Sequence, residues 1–327
     1  MAFHAKVRIH YFIRAILLLA LSCYIMHLNE TRSLHYYLAP HMQKLLLLCP
    51  VPLWFMAIGL LWHTLTGSTE KICDCEHPLP TGLFRNVNAY GLFTVPLLLG
   101  LLLPDQALGS AMAVKKGMLY TLPAPELLDT LQRESGSPEP AVISRTKATP
   151  DVYGQQQSMN SASVGQQNLD EMFLAKDKYS IEFAELAKRL YTLSVIEVHP
   201  SIFSETIGAV DMYKQVFQDR PIRLKGFVYR EGSMDANTFA ISRFLMMCCP
   251  ADAMPFGVLV AGNNAAAFPK DTWVEIEGYI KTTSMNGKDA LSIQASQIRT
   301  IEEPTSPYIF TSPDSVAEFD SLYSRLK

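Results

Sequence analysis

From Leu45 to Leu65 the chain runs LLLLCPVPLWFMAIGLLWHTL without a single charged side chain. A helix of about 20 residues at 1.5 Å per residue crosses the roughly 30 Å hydrocarbon core of a bilayer. A surface helix of a water-soluble protein needs a polar face, which this run does not have. It is therefore read as a transmembrane helix, in which Trp54, Trp62 and the two prolines are tolerated. An earlier run, Tyr11 to Leu28, carries one charge, Arg14, close enough to its end for the side chain to snorkel to the headgroups. A third span at about 84–103 combines the apolar stretch Ala89 to Leu103 with the residues before it.

The first run also has the build of a signal peptide, because Lys6, Arg8 and Arg14 precede a short apolar stretch. Cys23 does not complete a lipobox, since Leu21 stands one place off. Because the apolar run continues past Cys23 and two more follow, the spanning reading is preferred. For orientation, Lys6, Arg8, Arg14, Lys71 and Arg85 weigh against Arg32, Lys44, Lys115 and Lys116. The positive-inside rule then favours a cytoplasmic N-terminus and, after three crossings, a C-terminal domain outside the cytoplasm. A net charge of −3 over 327 residues gives no global attraction to nucleic acid or anionic lipid.

Nearly all long apolar runs fall before residue 113, and Pro, Ser and Gln clusters follow, including PAPE, SGSPEP and GQQQSMNSASVGQQ. Such a stretch has little to bury and reads as a flexible tether. The expected fold is a membrane protein with N-terminal transmembrane α-helices and a C-terminal mainly-β (α+β) soluble domain. Its expected parts are a membrane anchor at 1–113 (helices at about 11–28, 45–65 and 84–103), a linker at 114–177, a soluble domain at 178–305 and a tail at 306–327. In the soluble domain, Tyr179 to Tyr191 and Ser204 to Phe217 have helical periodicity. Strands are expected at 222–228, 239–248, 256–260, 274–280 and 291–301, with Asn286-Gly287 turning the last pair into a hairpin. Gly226 and Gly278, each in mid-strand among apolar neighbours, suit strands that bend to close a small barrel. The pattern suggests an OB-like barrel, with an open α+β sheet as the competitor.

OB barrels often hold nucleic acid, but between Arg220 and Thr300 nine Lys and Arg face seven Asp and Glu with no basic stripe. Nucleic acid is therefore not an expected partner; the lipid bilayer is. Two clusters have ligand chemistry. Cys73, Cys75 and His77 in KICDCEHPLP offer thiolate and imidazole to a zinc-like ion, although C-x-C is tighter than the usual zinc spacing. Cys248 and Cys249 are adjacent, with Asp252 close by. On a strand their side chains diverge unless Pro250 kinks the chain, and a disulfide between neighbours closes a strained eight-membered ring. Packing, metal ligation and thiol redox chemistry all remain open for this pair. His27, His35 and His41 beside Tyr36 and Tyr37 read as headgroup-level residues. No phosphate loop, nucleophile elbow, H-E-x-x-H or paired-carboxylate pattern recommends an enzyme.

The segment GFVYREGSMDANTFAISRFLMMCCPADAMPFGVLV, followed by WVEIEGYI, resembles the YcgQ-like family, read as the small subunit of a two-component bacterial permease. The resemblance rests on GFVYR, F-x-x-x-R-F and CC-x-AD-x-x-P-x-G, and extends to the anchor and the CDCEH loop. It implies a few N-terminal spans, a membrane address and a polytopic permease as partner. Relatives often carry a longer histidine run than the Cys73, Cys75, His77 loop present here. The expected function is an accessory membrane subunit of a permease complex, multi-pass, with its soluble domain outside the cytoplasm. The alternatives are a membrane-tethered metal-binding protein and a thiol-redox protein.

Overall fold

The computed structural model describes residues 2–66, 82–120, 168–178, 180–232, 234–285 and 288–324. The chain divides into two units, Met1–Ala107 together with Cys248–Asp252, and Leu108–Met247 together with Ala253–Lys327.

The first unit is helical: α1 (Ala2–Glu30), α2 (Pro40–Leu46), α3 (Pro50–Thr66) and α4 (Leu83–Leu102). Helices α1 and α3 pack through small residues, with Ala15 and Ala57 fully buried and Ser22 Oγ donating to the Pro50 carbonyl at 3.5 Å. Small side chains let two helices approach where no water drives them together. Helix α4 joins α1 through His10 Nδ1 and Tyr90 Oη, 2.7 Å apart, and Gly100 leaves room that the Tyr24 ring occupies. Among the described residues two helices are long and apolar enough to cross a membrane, Arg8–Glu30 and Pro40–Thr66, the latter joining α2 and α3. The third expected span is a helix too. Its first turn and a half hold Arg85, Asn86 and Asn88, so its apolar part is shorter than a bilayer core.

The second unit holds α5 (Ser110–Lys116), α6 (Ser180–Tyr191), β1 (Ile196–Glu197), α7 (Phe203–Met212) and β2 (Pro221–Tyr229). There follow β3 (Thr238–Leu245), β4 (Met254–Ala261), β5 (Trp273–Met285), β6 (Lys288–Thr300), β7 (Tyr308–Ile309) and α8 (Ser315–Ser324). Strands run in the order β2-β5-β6-β4-β3, and β3 pairs back onto β2, so five strands close a barrel. Pairing is antiparallel except between β4 and β6, while β1 and β7 add parallel to β2 and β3.

The two mid-strand glycines sit where backbones come too close for a side chain. A Cβ on Gly226 would meet the Ser242 carbonyl oxygen at 2.6 Å, and one on Gly278, beside a bulge, would run into the Gln294 carbonyl. Leu224, Val258, Ile276 and Ile293 fill the barrel core together with Leu186 and Leu190 of α6 and Ile207 and Val210 of α7. This closed five-stranded barrel replaces the open sheet that the strand pattern also allowed.

Several boundaries differ from those expected. Residues 108–120 belong with the barrel: Leu119 pairs with Phe256 through backbone bonds of 2.9 Å to Pro255 and Gly257, beside the half of β4 that β6 does not reach. Its apolar residues Leu108, Met112 and Met118 pack on Phe227, Phe244 and Tyr308. Residues 121–167 lie outside the described residues, but Phe173, expected in the linker, is fully buried in the core. The expected tail is structural as well, because β7 extends the sheet and Phe319 of α8 is buried in the main core. Strand β3 ends at Leu245, three residues before the expected Cys248.

Candidate functional site: the thiol loop between β3 and β4

The connection from β3 to β4 leaves the ladder at Met246 and curls through a turn at Pro250–Asp252. β3 has already ended at Leu245, and Pro250, which fixes its own φ, opens the turn that folds the chain back. The Asp252 N–H donates to the Cys249 carbonyl at 3.1 Å. Asp252 Oδ2 in turn accepts the backbone N–H groups of Cys248 at 2.7 Å and Cys249 at 3.1 Å. The Cys248 carbonyl accepts from the Ala39 N–H at 3.0 Å.

This turn undoes the alternation a strand would impose. The sulfurs of Cys248 and Cys249 and a carboxylate oxygen of Asp252 all lie within 4.8 Å of one another. Both cysteines are thiols; Cys248 is exposed and Cys249 half-buried. The hydrogen bond to Asp252 is the main cause that pushes the Cys248 thiol up to about 12, with Cys249 adding to it. Among the described residues no other group of three or more His, Cys, Asp or Glu side chains brings its ligand atoms this close. His27, His35 and His41 form no such group; His35 Nδ1 instead contacts the Arg32 carbonyl at 2.5 Å. Cys73, Cys75 and His77 lie outside the described residues.

The loop falls within a stretch matched by the DUF1980 C-terminal domain, over residues 173–311, and the DUF1980 N-terminal domain matches residues 13–119. The chain belongs to the YcgQ-like family. The UPF0703 protein YcgQ of Bacillus subtilis (strain 168) is 22% identical over 223 residues, 68% of this chain and 67% of that protein. The N-terminal family region thus runs through the helices and ends at Leu119, the residue that pairs with Phe256.

Within this family chain, the residue that sequence reading passed over is Arg243. It is 1% exposed, and its guanidinium donates to the Ser306 and Pro307 carbonyls, the latter at 3.3 Å. It also lies 5.4 Å from the Trp273 ring centre and 5.9 Å from that of Phe203. Burial lowers its pKa to about 10. Among the described residues its partners are carbonyls and ring faces, which suit a planar cation. Its signal in the sequence is an arginine inside the apolar strand FAISRFL. Glu205 of α7 is similarly buried; it accepts the Ser312 N–H at 2.8 Å and the Ser204 hydroxyl at 2.9 Å. Burial raises its pKa above the carboxylate range despite those bonds. Arg243 and Glu205 both tie residues 306–312 to the barrel unit.

Proposed function

We propose that this chain is an accessory subunit of a membrane permease complex, multi-pass, with its barrel outside the cytoplasm. The observation that carries the reading is the outward surface of α2 and α3. Leu45, Val51, Phe55, Trp62 and Leu65 are all exposed, Phe55 at 82% and Leu65 at 76%. A contiguous surface of this kind is costly in water and at home in lipid or against other membrane helices. Leu45 to Leu65 carries no charge, whereas transport sites within membranes are built from polar or ionisable groups, so the substrate path belongs to a polytopic partner. This orientation counts α4, with Ala89–Leu102 as its apolar part, as a third crossing, and the balance of Lys and Arg on the two sides of the three helices favours it.

The barrel's order, with its first three strands consecutive and its third beside its fifth, supports the OB-type reading. Its outer face does not suit a nucleic-acid backbone. Arg223, Lys225 and Arg299 are engaged by Glu275 and Glu277 at 2.5–3.4 Å. A stripe whose cations are already paired has little field to offer phosphates. The test is purification of the tagged chain at native abundance in mild detergent, with partner identification by mass spectrometry. A polytopic membrane protein in the eluate is expected; a chain free of any partner overturns the reading. In a Cys73→Ser, Cys75→Ser background, a membrane-impermeant maleimide should reach Cys248 in intact cells, and labelling only after lysis would reverse the orientation.

A second reading, a membrane-tethered metal-binding protein, is favoured by one observation: the convergence of Cys248, Cys249 and Asp252.

A further inference from the structure

We propose that the Cys248–Asp252 loop holds one zinc-class divalent cation through two thiolates and one carboxylate, with a fourth position open to solvent or to a partner's ligand. The proposal rests on the metal-binding reading and goes further by naming the ion class and the coordination.

The donor set selects the ion. Thiolates are soft ligands that suit zinc and copper(I), while a carboxylate oxygen adds little to copper(I) and suits zinc well. Magnesium and calcium take oxygen ligands almost exclusively, and two of these three donors are sulfur. Two sulfurs and one oxygen therefore specify a borderline-soft, tetrahedral d¹⁰ divalent ion.

The distances fit that ion. Zinc–sulfur bonds of about 2.3 Å and zinc–oxygen bonds of about 2.0–2.2 Å set ligand atoms roughly 3.5–3.8 Å apart in a tetrahedron. The donors already lie within 4.8 Å of one another, so side-chain rotation completes the closure. The backbone beneath them is fixed in advance, because Asp252 Oδ2 gathers the N–H groups of both cysteines. Oxidation to a disulfide would strain the eight-membered ring of adjacent cysteines, which favours keeping both sulfurs available as ligands.

The coordination count carries a functional consequence. Structural zinc sites use four protein ligands, whereas three leave a position for exchange. Cys248 is exposed, so an ion reaches and leaves the loop directly. Such a site suits capture and hand-over of an ion better than locking of a fold.

The experiment uses the full chain in detergent, reduced and anaerobic, with Cys73→Ser, Cys75→Ser and His77→Ala introduced so that only this loop is read. It is titrated separately with Zn²⁺, with Co²⁺ followed by thiolate-to-cobalt charge-transfer absorbance, and with Cu⁺. Roughly one equivalent of Zn²⁺ and the cobalt band are expected, both lost in the Cys248→Ser, Cys249→Ser variant. Asp252→Asn, which keeps the acceptor for the two backbone N–H groups, should weaken Zn²⁺ by roughly tenfold or more while retaining sulfur-based absorbance. It also serves if the double serine variant fails to fold. Binding of Cu⁺ without Zn²⁺ or Co²⁺ would overturn the ion class and leave the metal-binding reading intact. Zn²⁺ uptake that ignores the serine and asparagine variants would overturn the site. No metal of any kind would overturn both.

Discussion

Phe55 of α3 is 82% exposed and Phe256 of β4 is wholly buried, although each stands in an uninterrupted apolar run. The N-terminal unit turns its large side chains outward and packs its helices through Ala15, Ala57 and Ser22. The barrel unit turns its large side chains inward and keeps charge outside, as the ladder of Arg223, Arg299, Glu275 and Glu277 shows. Removal of apolar surface from water drives both arrangements. In the barrel unit the chain itself supplies the apolar surroundings; in the N-terminal unit two helices long and apolar enough to cross a membrane leave large apolar side chains exposed.

Substitutions at these two phenylalanines give the widest contrast. Phe256→Ala should destabilise the barrel by about 3–5 kcal/mol and lower its melting temperature by roughly 6–20 °C, whereas Phe55→Ala should stay within about 0.5 kcal/mol. Thermal melts in detergent would check this, and equal losses at both sites would erase the distinction between the units.

A charge sharpens the same contrast from the membrane side. Phe55→Arg should add about 2.5–3.5 kcal/mol to the cost of insertion and shift the chain into the alkaline-carbonate supernatant. If the variant remains as firmly membrane-bound as the parent, α3 does not face lipid.

Within the barrel unit, Arg243→Leu leaves the Ser306 and Pro307 carbonyls without their donor. It should cost about 1–3 kcal/mol, with protease sensitivity appearing first after residue 305. Unaltered melting and cleavage would mean that β7 is held by its backbone pairing alone.

The smallest effect concerns Glu205, whose folded pKa is raised above its ordinary 4.5 by burial. The folded state then binds this proton more tightly than the unfolded chain does. Its contribution to stability is complete below about pH 4.5 and declines as pH rises through the raised value. Glu205→Gln keeps an acceptor for the Ser312 N–H and removes the charge, so it should abolish that decline and melt higher than the parent at neutral pH. A parallel pH dependence in both proteins would assign the decline to other groups.

Much of this architecture was legible in local pattern. Alternation over Ile222–Val228 and Val274–Ile280, with glycine in mid-strand, marked strands of a closing barrel, and both glycines stand where neighbouring backbone leaves no room. The charge-free run Leu45–Leu65 marked most of α3, although a turn at Leu47–Cys49 parts it from α2. Less could be read where a contact joins distant residues. Leu119 pairs with Phe256 alongside β4, and Phe319 reaches the core from what composition presents as a tail. Short apolar segments such as Met118–Leu119 and Tyr308–Ile309 carry no periodicity of their own, so their burial depends on what lies opposite them.

The thiol loop divides in the same way. Sequence alone determined its ingredients, two adjacent cysteines, a proline to open a turn and an aspartate two residues further on. It also determined that the long apolar runs gather in the N-terminal third of the chain, because side-chain hydropathy is a property of each residue. Tertiary structure decided that β3 stops at Leu245, that Asp252 turns back to bind the backbone of both cysteines, and that the donors of all three converge. The physical reason is that ligand geometry depends on backbone direction, and at a turn that direction is set by long-range strand pairing and hydrogen bonding.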